Sequence, residues 1–293
     1  MPLPKTSSSS QTVCRICGSS QHQEKWGLLR ECENCRFIFF GDTDPEALAR
    51  LYHEGYFHGE EYTDYIGQEF ALRKSMRQHL KQMEQFKPLS GPLLEVGCAY
   101  GFFLDEAQRR IDHVQGIDVA REAVSYAHHS FGIKADYGDF LSFDFEGNRF
   151  STICFWDTIE HLAEPDQFIN RAWELLKPGG MIYLTTGDIG AFNARIRGKN
   201  WRQIHPPTHV SYFSRDTMRR ILEQSGFEVM PIETASYFHT LKHVLGALAM
   251  RFGLVGTMAK LIERLVGDSA VGRWGFWLNL GDTMFVAARR PQK

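Results

Sequence analysis

The chain has 293 residues, room for one large domain or for one with a small module attached. Its apolar and charged fractions, 43% and 23%, are those of an ordinary globular protein, and a net charge of −2 without a basic run argues against a nucleic-acid enzyme. No apolar run is long enough to span a bilayer and the amino terminus has no secretory h-region, so the expected location is the cytoplasm.

Residues 1–12 are poor in apolar side chains and rich in serine, and read as a disordered tail. Residues 13–42 carry two Cys-x-x-Cys pairs, Cys14/Cys17 and Cys32/Cys35, with fourteen residues between them. Two such knuckles supply four thiolates for a structural zinc ion, and four thiolates leave no open position for chemistry. The metal-free alternative is a loop with reactive thiols. Asp44-Pro45 is an N-cap and first-turn pair. Residues 43–90 then read as a helical linker that lids a cofactor, with Tyr52, Tyr56, Tyr62 and Tyr65 as lid or packing residues. Ile66, Phe70, Met76, Leu80 and Met83 recur at helical spacing. Arg73 on that stretch is expected in an ion pair, with a cofactor carboxylate as the alternative partner.

The most informative segment follows. Leu93-Leu94-Glu95-Val96-Gly97-Cys98-Ala99-Tyr100-Gly101 is a strand, a tight turn and the start of a helix. A turn with little side chain admits a ligand to the backbone, and Asp118, closing the next apolar run, can hold two ribose hydroxyls. The dinucleotide spacing G-x-G-x-x-G fails here, and no Gly-Lys-Ser/Thr follows. The pattern acid-x-G-x-G-x-G fits Glu95, Gly97 and Gly101, with Ala99 in the middle position. Ala99 is expected to be tolerated unless its φ is positive. Cys98 and Cys154 read as small buried residues.

Further on, Gly138-Asp139-Phe140 follows a third strand, Phe150–Asp157 reads as a fourth, and Leu176–Gly180 reads as a turn into a fifth. After the fourth strand comes Asp157-Thr158-Ile159-Glu160-His161, in which one helical turn would bring Asp157 and His161 to one face. His161 is a candidate base with Asp157 orienting it; Asp157, Glu160 and His161 are also plausible ligands of a divalent cation; the structural alternative is a capped turn. The aromatic, proline-fixed loop Trp201–Ser214 holds His209 as a second candidate base, or as a satisfied histidine pinning the loop, and Trp201 as a surface for a sugar or ring. Ser214 caps the next helix. Between strands at Phe227–Met230 and Thr283–Ala288, residues 236–280 form a helical insertion. Its apolar stripe over 241–266 fits a cap, a protein contact or peripheral membrane docking.

The segment from Glu95 to Gly101, with Asp118, Asp139-Phe140, Asp157 and Lys177-Pro178-Gly179-Gly180 in register after it, resembles the class I S-adenosylmethionine-dependent methyltransferases. The resemblance implies an α/β fold over 91–235 and 281–293: a doubly wound, seven-stranded, Rossmann-like sheet with its last strand antiparallel. It implies S-adenosyl-L-methionine at Glu95, Gly97, Ala99, Gly101, Asp118, Asp139 and Phe140, with Asp139 on the adenine amine and Phe140 on its face. The Asp157-x-x-Glu160-His161 pattern resembles the ubiquinone-pathway O-methyltransferases, where it is linked to a divalent cation. An amino-terminal ribbon on such a domain, with the Trp201…Phe213-Ser214 stretch, resembles the sugar methyltransferases of polysaccharide and antibiotic pathways. The expected reaction is therefore O-methylation of a sugar hydroxyl in a glycan, nucleotide-sugar or specialised-metabolite pathway, on a small-molecule or glycan acceptor and with no nucleic acid. Two alternatives stay open: an RNA base methyltransferase gripping its substrate with the ribbon, and a non-enzymatic relic that recruits partners.

Overall fold

The structure, a computed structural model, describes residues 13–41, 65–241 and 274–292. The expectations for the tail 1–12, the helix opening at Pro45, Tyr52, Tyr56 and Tyr62, and the stripe beyond Leu241 lie outside these residues.

The amino-terminal segment is a small antiparallel sheet of β1 (His22–Lys25), β2 (Leu29–Cys32) and β3 (Ile38–Phe40). It is closed on one side by β9 (Ser211–Tyr212), a strand contributed from far along the chain.

The main sheet is built from β4 (Leu93–Val96), β5 (Val114–Asp118), β6 (Lys134–Tyr137), β7 (Phe150–Trp156) and β8 (Leu176–Gly187), which pair in parallel in the order β6-β5-β4-β7-β8. β14 (Thr283–Arg289) adds to β8 antiparallel, as expected of the last strand. The place of the sixth strand is taken by two short pieces on β14, β10 (Glu228–Val229) and β11 (Glu233–Thr234), because Pro231 between them cannot donate to a ladder. The sheet thus counts eight strands in seven positions. The four residues of β4 are all buried, as a central parallel strand covered on both faces requires.

Both faces are covered. On one, α1 (Glu69–Phe86) lays Met76, Leu80 and Met83 against Leu93, Tyr183 and Phe285, with Phe103 and Leu104 of α2 (Phe102–Ala107) beside them. On the other, Ile169 and Leu175 of α4 (Pro165–Leu175) and Met218 and Ile221 of α6 (Arg215–Gln224) meet Phe155 and Leu184. Between them in sequence lie α3 (Arg121–Phe131) and α5 (Phe192–Arg197). Ser214 caps α6 through a reciprocal bond with Thr217, as its sequence suggests. Lys177–Gly180, expected to be a turn, runs within β8 as an irregularity: the register against β7 jumps between Phe150 and Thr152, and Gly179 takes φ +72°.

After β11 the chain forms β12 (Tyr237–Thr240), which pairs antiparallel with β13 (Gly275–Leu278). Leu241 donates its amide to Trp274 O at 2.7 Å, so the chain leaves and returns at one point. No helix among the described residues is long and apolar enough to cross a membrane.

Candidate active site and cysteine cluster

In an open α/β sheet the ligand crevice lies at the carboxyl edge, where strand order reverses. Here that point is the end of β4, with β5 on one side and β7 on the other. A cavity opens there. Gly97, Ala99, Asp118, Asp139 and Phe140 line it from the β4–β6 side, and Asp157 and His161 from the end of β7.

The turn after β4 is held by backbone bonds from Gly97 and Cys98 to Ile117 O, 2.9 and 3.3 Å. Gly97 has φ +74°, and a Cβ there would lie 2.7 Å from Thr158 Oγ1. Ala99 takes φ +44°, the positive value under which an alanine is not expected to be tolerated. A left-handed alanine costs about 1 kcal/mol, which the turn offsets with a charge-assisted bond: Ala99 donates its amide to Asp118 Oδ2 at 2.8 Å. Ala120 donates to the other oxygen at 2.8 Å. Burial pushes the Asp118 carboxyl up and these backbone donors oppose it. Glu95 and Gly101 do not line the cavity. Glu95 lies behind the turn, 4% exposed; burial and the neighbouring Asp118 push its carboxyl well up, and Oε2 has no partner among the described residues. Gly101 instead starts α2 with φ +78° where a Cβ would meet Ala127.

Asp139 is exposed, its carboxylate accepting from the Leu141 and Ser142 amides and the Ser142 hydroxyl. Phe140 is buried and stacks on Phe168, ring centres 5.6 Å apart. Tyr65 also lines the cavity and stacks against Tyr100 and Phe102. Arg73 is spent on Glu69, Asp105 and Glu106, the ion-pair outcome rather than the cofactor one.

Asp157 leaves β7 with φ +47°, a conformation that a non-glycine residue holds only when its surroundings fix it. They do. Tyr237 of β12 donates its hydroxyl to Oδ1 and Oδ2, at 2.9 and 2.8 Å, and Thr185 of β8 donates to Oδ1 at 2.9 Å. Burial pushes the Asp157 carboxyl up; the two hydroxyls pull it back. The carboxylate does not orient His161. That imidazole pairs with Thr208 O at 2.9 Å through Nδ1, and hydrogen bonding to the Asp157 backbone adds to this. Burial outweighs both and lowers its pKa to about 4, so the ring is neutral near pH 7. Glu160 is buried, with its pKa raised to about 8 by burial and then by Asp157.

His209 is 6% exposed and lies outside the cavity wall, its Nδ1 3.0 Å from Gln203 O. Its ring packs against His161 at 4.6 Å and His205 at 3.8 Å, and burial lowers its pKa far below the usual range. The groups whose ligand atoms converge within 4.8 Å are Glu160, His161 and His209, not the expected Asp157, Glu160 and His161. Trp201 is 2% exposed and donates its indole N–H to Asp282 at 2.8 Å, so it pegs the loop and offers no face to a sugar.

The four cysteines do come together. Cys14 Sγ lies 3.5 Å from Cys35 Sγ, Cys17 Sγ 3.5 Å from Cys32 Sγ, and all four sulfurs are within 4.8 Å of one another. A tetrahedral zinc–thiolate centre needs sulfurs about 3.8 Å apart, so the set fits that ion. Each pair sits on the same knuckle: Gly18 N returns to Cys14 O, and Arg36 N to Cys32 O, with φ +70° and +64°. The shared proton between Cys14 and Cys35 pulls Cys35 down to about 5 and pushes Cys14 up. Cys98 and Cys154 are buried, as expected.

Sequence reasoning missed Tyr237 and Thr185. Thr185 is a plain strand residue, and Tyr237 stands 80 residues from Asp157, so no local pattern marks either.

A family model described as "Methyltransferase domain" matches residues 68–232. The chain is 33% identical over 189 residues to a ubiquinone biosynthesis O-methyltransferase of Xylella fastidiosa, covering 60% of this chain and 71% of that one. It is 26% identical over 147 residues to the enzyme of the same name from Cereibacter sphaeroides, spanning 46% of this chain and 60% of that one. The magnesium protoporphyrin IX methyltransferase of Synechocystis, solved with bound S-adenosylhomocysteine, shares the fold at a TM-score of 0.54 and 12% identity, over 84% of this chain and all of that one. With the match spanning over half of its length, and with the parallel sheet and glycine turn in place, the chain belongs to the class I S-adenosylmethionine-dependent methyltransferases.

Proposed function

We propose that this enzyme transfers the methyl group of S-adenosylmethionine to a hydroxyl oxygen of a small molecule. The observation that carries the reading is that Asp157 and His161 line the same cavity as Gly97 and Asp118. Methyl transfer is an in-line displacement: the acceptor oxygen attacks the methyl carbon, the carbon–sulfur bond breaks, and the acceptor proton must go to a nearby base. Asp118, with the turn at Gly97 and Ala99, would hold the nucleoside, and Phe140 the adenine face. Asp157, fixed by Tyr237 and Thr185, is the best-held acceptor of the proton; His161, neutral near pH 7, is the second. The apolar wall of Trp156, Leu162 and Phe168 would exclude water.

Oxygen as the acceptor atom is supported by the O-methyltransferase relatives. A sugar hydroxyl in a glycan, nucleotide-sugar or specialised-metabolite pathway remains the finer proposal, resting on the resemblance of the ribbon and the Trp201–Ser214 stretch in sequence and not on stacking by the buried Trp201. Relatives acting in ubiquinone biosynthesis favour a second class, and small phenols belong in the same test. Zinc at Cys14, Cys17, Cys32 and Cys35 would be structural. A divalent cation would find Glu160, His161 and His209 as its ligands. The amino-terminal ribbon, the linker that follows and the segment before the last strand are proposed as modules attached to the catalytic domain.

The test is calorimetric titration with S-adenosylhomocysteine, followed by transfer of labelled methyl to nucleotide sugars, glycolipids and phenols. Micromolar cofactor binding with labelling of one class supports the reading. Binding with labelled RNA alone would replace it by base methylation, and no binding by a folded sample would favour the relic.

A further inference from the structure

Three pieces of chain distant in sequence meet at β9. On its outer side β9 pairs with β3, Ile38 opposite Tyr212 and Phe39 opposite Ser211, and Phe40 donates its amide to Val210 O at 2.8 Å. On its inner side it grips the turn after β7: Val210 donates to Glu160 O at 2.9 Å, and the Ser211 hydroxyl to Leu162 O at 2.9 Å. Tyr212, 3% exposed, donates its hydroxyl to His209 O at 2.7 Å while packing on Leu29 and Ile38.

The strand that β9 leans on is itself set by the cysteine knuckle. Cys32 donates its amide to Phe37 O at 2.8 Å and accepts from Arg36, and Phe37 packs its ring on Phe213 at 5.1 Å. Cys14, Cys32, Phe37 and Phe39 belong to the same buried cluster as Phe155, Ile159 and Phe213. A second link ties Arg15 to Glu164, just past the turn.

We propose that the cysteine ribbon is the positioning platform of the acceptor side of the site: metal held by Cys14, Cys17, Cys32 and Cys35 fixes β3, β3 fixes β9, and β9 fixes the Gln203–His209 loop and the Glu160–His161 turn. This rests on the proposed zinc assignment, and its readout needs no acceptor. The cofactor side, built from β4, β5 and β6, shares none of these hydrogen bonds, although Leu94, Val96, Ile117 and Phe140 belong to the same buried cluster, and under this proposal it keeps its geometry without the metal.

The experiment is amide hydrogen exchange on the full chain, zinc-loaded and after zinc removal by a mercurial with chelator. Zinc content and S-adenosylhomocysteine affinity are measured on the same samples. Zinc removal should speed exchange at Phe40 and Val210 by about tenfold or more, as loss of a hydrogen bond's worth of protection implies. The Gly97 and Ala99 amides should keep their rates, and affinity should stay within about twofold. Unchanged exchange at Val210 after zinc release would overturn the coupling. Loss of cofactor binding in step with Val210 would overturn it too, by making the ribbon a global stabiliser. A purified parent chain without zinc would remove the metal while leaving the cofactor reading intact. Tyr212→Phe provides a cut that spares the cysteines: it should retain zinc and speed exchange around His209. Unchanged exchange there would remove Tyr212 from the path.

Discussion

The hydroxyl of Tyr237 bridges both carboxylate oxygens of Asp157, at 2.9 and 2.8 Å, although Tyr237 lies in the separate β12–β13 ladder and Asp157 just past the end of β7 in the main sheet. Tyr237→Phe keeps the ring and its packing and removes the donor. A donor lost to a buried carboxylate costs about 1–3 kcal/mol, which urea unfolding should register. Turnover on an identified acceptor should fall as well, with cofactor affinity little changed.

Asp118 supports the turn before it can support a ligand, since both of its oxygens already accept backbone amides. Asp118→Asn preserves shape and removes the charge. S-adenosylhomocysteine affinity should drop by about tenfold or more, and stability should drop with it, because one amide then faces an N–H₂ instead of an acceptor. Unchanged affinity in calorimetry would remove the nucleoside assignment.

Positions 97 and 99 should respond in opposite directions. Gly97→Ala pushes a methyl onto Thr158 at positive φ and should abolish cofactor binding. Ala99→Gly relieves a left-handed alanine, and should raise stability by up to about 1 kcal/mol with binding retained. Thermal melts and calorimetry on the pair check both.

His79 of α1 is fully buried against Trp156 and Tyr237, and burial, only partly opposed by the neighbouring Gln82 side chain, lowers its pKa from 6.5 to about 4. The unfolded chain therefore takes up this proton at a higher pH than the folded one. The contribution is complete above pH 6.5 and declines by about 1.4 kcal/mol per unit as pH falls toward 4. His79→Phe should flatten the pH dependence of unfolding free energy over that window. An unaltered slope would show that another group governs it.

The sheet was readable because parallel strands buried on both faces leave continuous apolar runs, and because glycine marks a turn wherever the chain passes close to a ligand. Glu95–Gly101 and Asp118 show both. The knuckles were readable from spacing alone. The acceptor side was not. His161 and Asp157 are neighbours in sequence, yet the carboxylate is held by Tyr237 and Thr185 and the imidazole by Thr208, because side-chain partners are chosen by packing across strands. Trp201 looked like an exposed stacking platform; the buried Asp282 carboxylate, which needs donors, draws its indole inward instead. Ala99 shows the limit of a pattern: the glycine it replaces would have announced a positive φ, and the sequence alone hides that the backbone kept it.

The bond between Leu241 and Trp274, continuing the β12–β13 ladder, holds together the two points of the chain that flank residues 242–273. The closure penalty of a loop between two clamped ends grows only slowly with its length. Leu241 directly follows β12, the strand that carries Tyr237. Whatever displaces the β12–β13 ladder therefore also displaces the hydroxyl that holds Asp157.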